Sequence, residues 1–107
     1  MPTHRTEQIA GIIRSTVARF AIEISPDKAT VVSVVDVKVS RDLSYADVSI
    51  CAIEHVDAAI RLLKEKLPDI RRELALRLRL HRLPKLRFHR DEAGERASKL
   101  DGILSAL

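Results

Sequence analysis

Eight basic side chains crowd one short stretch of this sequence: Arg71, Arg72, Arg77, Arg79, Arg82, Lys85, Arg87 and Arg90, with a single carboxylate, Glu73, among them. The whole chain of 107 residues sums to only +4, so everything outside the stretch is net acidic. Charge segregated in this way is what a polyanion surface selects. Guanidinium groups bond phosphate oxygens two at a time and need no base to do so, which makes the chemistry on offer the capture of phosphates. A solvated basic face without a ligand is the plainer explanation of the same residues.

The other residue types capable of chemistry are arranged less suggestively. His4, His55, His81 and His89 contain no pair at the i, i+4 spacing of a helical metal site, and the one cysteine offers no thiolate cluster, so no metal is expected. Cys51 cannot form an internal disulfide. It alternates with Ile50 in a predicted strand, where a packing thiol is the simpler reading than a nucleophile without His and acid partners. Asp36, Asp42, Asp47, Glu54 and Asp57 surround a predicted hairpin, and solvent-facing strand and turn positions explain them more simply than an acid–base pair. Glycine occurs only at Gly11, Gly94 and Gly102, which excludes a phosphate-cradling P-loop or a dinucleotide fingerprint. No enzyme, cofactor or small-molecule substrate is expected.

The elements that must position the basic stretch follow from periodicity. From Thr3 to Ile24, apolar Ile9, Ile12, Ile13, Val17, Phe20 and Ile24 recur every three or four residues and predict a helix, with Thr3 and Thr6 as candidate caps. Ser25-Pro26-Asp27-Lys28 ends it in a turn. In Ala29 to Ser40, Val35, Val37 and Val39 alternate with Asp36, Lys38 and Ser40. In Tyr45 to Ala52, Ala46, Val48, Ile50 and Ala52 face one way. These two runs predict an antiparallel hairpin whose turn suits Asp42, since its carboxylate can accept from a nearby backbone amide.

Val56, Ala59, Ile60 and Leu63, then Ile70, Leu74 and Leu78 beyond Pro68, predict two helices bent near Leu67, because a proline ring clashes with the carbonyl four residues back. Arg72 and Arg79 are expected on nearly one line of the second helix, facing solvent, with Asp69 in its first turn. Lys85 to Arg90 predicts a last strand with Leu86 and Phe88 facing the core. Asp91 to Leu107 carries apolar residues at helical spacing and predicts a C-terminal helical tail.

This order, αββααβ, describes an α+β fold in which a three-stranded sheet packs its apolar face on helices. The length suits one domain over residues 1–107, with a core at about 5–90 and a tail at 91–107. The core must be aliphatic, because only Phe20, Tyr45 and Phe88 are aromatic. That scarcity also argues against an RNA platform built from stacked rings. No stretch approaches the roughly 20 apolar residues of a membrane span and the N-terminus lacks a signal-like apolar run, so a soluble cytoplasmic protein is expected.

Two stretches resemble the bacterial ribosome-binding factor A family. Val39-Ser40-Arg41-Asp42-Leu43-Ser44-Tyr45-Ala46-Asp47-Val48 is similar to its strand–turn–strand pattern of a serine, then Asp-Leu, then an alanine and a valine. Leu78 to Phe88, LRLHRLPKLRF, is similar to its basic helix end followed by a proline, a leucine and an aromatic strand. The likeness runs from about Arg5 to about Leu104. It implies a type II KH-like fold and binding to the free 30S small ribosomal subunit, with assistance to maturation and processing of its 16S rRNA. Family members usually bend the helix pair at an Ala-x-Gly element, and Lys66, Leu67 and Pro68 occupy those positions here. Ser25 stands where the family often has an acidic residue.

A GxxG loop that clamps a single strand is absent, so contact with phosphates of folded rRNA is expected rather than sequence reading, from the eight basic residues named above. A monomer is the simplest oligomeric state. Two alternatives stay open: a protein-interaction module acting through the hairpin's open edge or the C-terminal stretch, and a nonspecific RNA-binding chaperone.

Overall fold

The computed structural model describes residues 4–24 and 32–91. Its elements are α1 (His4–Ile24), β1 (Val32–Val39), β2 (Tyr45–Ala52), α2 (Val56–Glu65), α3 (Leu67–Arg77) and β3 (Lys85–Arg90), the expected αββααβ order. The predicted turn at 25–28 and the C-terminal tail lie outside the described residues.

α1 buries Ile9, Ile13, Val17, Ala21 and Ile24, one stripe at helical spacing, and lies across β1 and against α2 and α3. Ile12 and Phe20 only border that stripe. Thr6 is no cap: it sits inside the first turn and is buried. Thr16 is buried too, which it tolerates because its hydroxyl donates to the Ile12 carbonyl at 2.8 Å. Among the described residues no helix is long and apolar enough to cross a membrane.

The sheet runs β1-β2-β3, with β1 antiparallel and β3 parallel to the central β2. Ala46, Val48 and Ile50 of β2 are fully buried between the helices and their neighbours on the sheet. The hairpin departs from simple alternation at one place. Register shifts between Val34 and Asp36, so Val35 is an extra residue in a bulge and is 39% exposed, while Val32, Val34 and Val37 take the core face. The expectation that Val35 shares a face with Val37 is therefore corrected.

The hairpin turn is held as expected. Asp42 accepts the Ser40 hydroxyl at 2.8 Å and the Ser44 backbone N–H at 3.1 Å, while Ser40 accepts the Tyr45 N–H at 3.0 Å. The bond from Ser40, then that from Ser44, holds the Asp42 carboxyl below its ordinary range. Leu43 adopts a left-handed conformation, φ 63°, which a leucine tolerates only when something offsets the steric cost; here its side chain packs on the core.

α2 and α3 part at Lys66, whose N–H reaches the Leu62 and Leu63 carbonyls at 3.2 and 3.1 Å. Pro68 falls in the first turn of α3, where its missing N–H would have had no partner within the helix. α3 then ends earlier than expected. Leu78 turns extended, φ −103° and ψ 127°, yet stays buried, and the chain from there to Pro84 returns to the start of β3. Arg79 is thus in a loop and shares no helical line with Arg72, although both are exposed.

The outer face of the sheet is polar. Asp47 on β2 accepts Arg87 Nε at 2.7 Å and Arg87 Nη2 at 3.0 Å, and its Oδ1 lies 2.8 Å from His89 Nε2. Arg87 also lies over the Tyr45 ring, 4.3 Å from its centre. Its hydrogen bonds are the largest cause holding the Asp47 carboxyl below its ordinary range, against a smaller opposing effect of burial.

Ile50→Ala and Leu63→Ala are each expected to lower unfolding free energy by about 2–5 kcal/mol, and Val35→Thr to change it by less than about 0.5 kcal/mol, all measured by urea denaturation. A large loss at Val35 would place that side chain in the core. Asp47 is depressed in the folded state, so its stabilisation is present above the unfolded carboxylate pKa of about 4 and is lost as pH falls through the folded value. The stability gap between wild type and Asp47→Asn should therefore close on acidification. Arg87→Ala should raise the Asp47 pKa seen by carboxyl NMR.

Candidate nucleic-acid interface

Three elements deliver the basic stretch. α3 carries Arg71, Arg72 and Arg77; the loop after it carries Arg79 and Arg82; β3 carries Lys85, Arg87 and Arg90. All eight are exposed, but they do not form one uniform strip.

Carboxylates divide them. Arg77 lies 3.4 Å from Glu73 and also reaches the hydroxyls of Ser15 and Thr16 at 3.4 and 3.3 Å, so it ties α3 to α1. Glu73 takes Arg19 of α1 as well, at 3.2 Å. Arg87 is held by both oxygens of Asp47, the planar pairing that fixes a guanidinium most firmly. Arg90 reaches Asp57 in the first turn of α2 at 3.4 Å. Arg72 has only a long pair to Asp69, 3.8 Å, on an exposed helix surface, where such pairs are weak.

Among the described residues the remaining cations find no matching carboxylate. Arg71 makes one long bond to the Pro84 carbonyl, 3.4 Å, and meets no carboxylate among the described residues. Arg79, Arg82 and Lys85 have no side-chain partner among the described residues.

Arg71, Arg82 and Lys85 converge on a groove of about 830 Å³ between the hairpin turn, the start of α3 and the loop leading into β3. Leu43, Leu67, Leu80 and Leu83 supply its apolar walls, and His81 also lines it. Arg5, from the first turn of α1, completes the cationic lining. Sequence reasoning missed Arg5, because it lies far from the basic stretch and no motif ties it there; only tertiary packing brings it in.

The other residues with chemical potential fall elsewhere. Asp42 borders the groove with its carboxylate engaged by the turn, Asp47 and Asp57 serve as counter-ions, and Glu54 is exposed near His55, at 3.9 Å. Cys51 is half-buried on β2 opposite Ser33. Among the described residues no three His, Cys, Asp or Glu side chains gather in a way that could hold a metal.

Known proteins are similar to this chain in both sequence and fold. A family model described as ribosome-binding factor A matches residues 5–104. Ribosome-binding factor A of Pelodictyon phaeoclathratiforme is 32% identical over 108 residues, spanning 96% of this chain and 91% of that one. Its counterpart from Xanthomonas axonopodis pv. citri is 34% identical, spanning 100% and 87%. The crystal structure of ribosome-binding factor A from Thermus thermophilus has the same fold, with a TM-score of 0.70 at 24% identity over 82% of this chain and 97% of that chain. A Thermus thermophilus ribosome binding factor A homology model, fitted into a cryo-EM map of a 30S complex, gives a TM-score of 0.63 at 26% identity over 78% and 91%. This chain, αββααβ in order and matched along almost its whole length, belongs to the ribosome-binding factor A family.

Proposed function

We propose that this protein binds the free 30S small ribosomal subunit in the cytoplasm, as a monomer, and assists maturation and processing of the 16S rRNA. The observation that carries this reading is the likeness to a relative fitted into a map of a 30S complex. Charge supports it independently: Arg71, Arg79, Arg82 and Lys85, with the loosely paired Arg72, offer positive charge that nearby carboxylates do not neutralise. Phosphate oxygens of folded rRNA are the complementary partner, and no base needs to be read. The protein acts by binding, with no catalytic step.

The test is co-sedimentation of purified protein with free small subunits, and separately with assembled ribosomes, across a salt series. Binding to free subunits is expected to exceed binding to assembled ribosomes. With about five phosphate contacts, log affinity should fall against log salt with a slope of roughly −3 to −5. A flat salt response would sink the phosphate mechanism, and equal binding to any RNA of the same length would reduce the protein to a nonspecific chaperone.

A further inference from the structure

The groove at the hairpin end of the molecule combines features that a merely solvated basic face lacks. Its four cations come from four separate segments: Arg5 from α1, Arg71 from α3, Arg82 from the returning loop and Lys85 from the first position of β3. Gathering like charges from distant parts of a chain opposes folding unless an anion relieves them. Among the described residues only one carboxylate borders the groove, Asp42, and it is directed at Ser40 and Ser44 in its own turn. Leucine side chains stand beside the cations, and low-dielectric walls of this kind strengthen the field that an entering anion meets. The groove is open to solvent, and its volume of about 830 Å³ leaves room for a chain segment to lie along it.

The lining also says which part of a nucleic acid fits. Among the lining residues there is no Phe, Tyr or Trp, and His81 is the single ring on which a base could stack, too little for a base-stacking platform. Cations over aliphatic walls suit the ribose-phosphate backbone instead. Cations elsewhere in the basic stretch are differently occupied: Arg77 locks α3 to α1, Arg87 binds Asp47 across the sheet, and Arg90 meets Asp57.

We infer that this groove is the seat for an rRNA backbone segment, with Arg5, Arg71, Arg82 and Lys85 as its phosphate contacts, and that Arg77, Arg87 and Arg90 serve the fold. This rests on the reading that the partner is small-subunit rRNA, and it narrows that partner's contact to one end of the molecule. It also brings in a residue that the basic stretch does not contain.

Two double variants with the same loss of charge test it. Arg5→Gln with Arg82→Gln removes two groove cations; Arg14→Gln with Arg61→Gln removes two exposed cations outside both groove and basic stretch. Thermal melts first establish that both fold. Binding to purified small subunits across a salt series is then compared with wild type. The groove variant should bind more weakly, with a slope shallower by about 1.5 to 2, and the control should keep the wild-type slope. Equal behaviour of the two doubles, with wild type still binding in a salt-sensitive way, would overturn the groove while leaving small-subunit binding intact. Failure of wild type itself to bind would overturn both. Displacement of wild type from subunits by a free mononucleotide at low concentration would assign the groove to a small ligand and overturn the backbone seat.

Discussion

The Lys85 N–H donates to the Ser44 carbonyl at 2.8 Å, and from this bond β3 runs parallel beside β2 until the Asp91 N–H meets the Ile50 carbonyl at 2.9 Å. A parallel neighbour cannot be reached through a tight turn, so the chain between β2 and β3 must cross over, and α2 and α3 are that crossover. Because the strands are parallel, the crossover has to deliver Lys85 to the same end of the sheet at which Tyr45 begins. The Leu78–Pro84 segment therefore folds back against the hairpin turn. The groove between them follows from the strand pairing, with Leu86 beside Ala46 and Phe88 beside Val48 anchoring it in the core.

On this frame the carboxylates decide how each cation is used. Asp47 occupies the middle of the sheet's outer face and takes Arg87 with two bonds, while the same arginine covers Tyr45. Asp57 opens α2 and meets the last residue of β3, and Glu73 joins α3 to α1 through Arg77 and Arg19. Exposed pairs of this kind add little stability in water, and their effect here is to orient long side chains across element boundaries. The cations that meet no carboxylate among the described residues lie in α3, the returning loop and the first position of β3. Positive charge is thus more concentrated in space than the run from Arg71 to Arg90 suggests.

Local patterns made the element order and most of the core legible in the sequence. The stripe Ile9, Ile13, Val17, Ile24 and the alternation Ala46, Val48, Ile50 each report a single face at a fixed period, and both faces are buried. Three features depended on partners that no local pattern encodes. Val35 leaves the core face because β1 has one residue more than β2 can match, a property of the pair and not of either strand. Arg79 leaves the helix because the chain must turn back to reach β3, although Leu78 continues the helical spacing of Ile70 and Leu74. Arg5 joins the groove only through the packing of α1. The basic stretch itself was plain, while its division into paired and unpaired members required the positions of Asp47, Asp57 and Glu73.

Proline at the bend between α2 and α3 ties this division back to the backbone. A glycine there would let the two helices meet at a range of angles; Pro68 fixes its own φ, while Leu67 before it still takes the helical conformation as the first residue of α3. The position avoids the usual penalty, since a proline in the first turn forfeits no hydrogen bond within the helix. Lys66 absorbs the break with φ −87° and ψ 1°, and its carbonyl accepts from Ile70 at 2.9 Å, so α3 starts cleanly on the far side. Leu67 lies next to that break and Arg71 one turn beyond it, and both line the groove. Stiffness at Pro68 therefore sets where an apolar wall and a cation stand relative to Arg82 and Lys85. A bend that glycine would leave permissive becomes, with proline, part of the geometry of the basic groove.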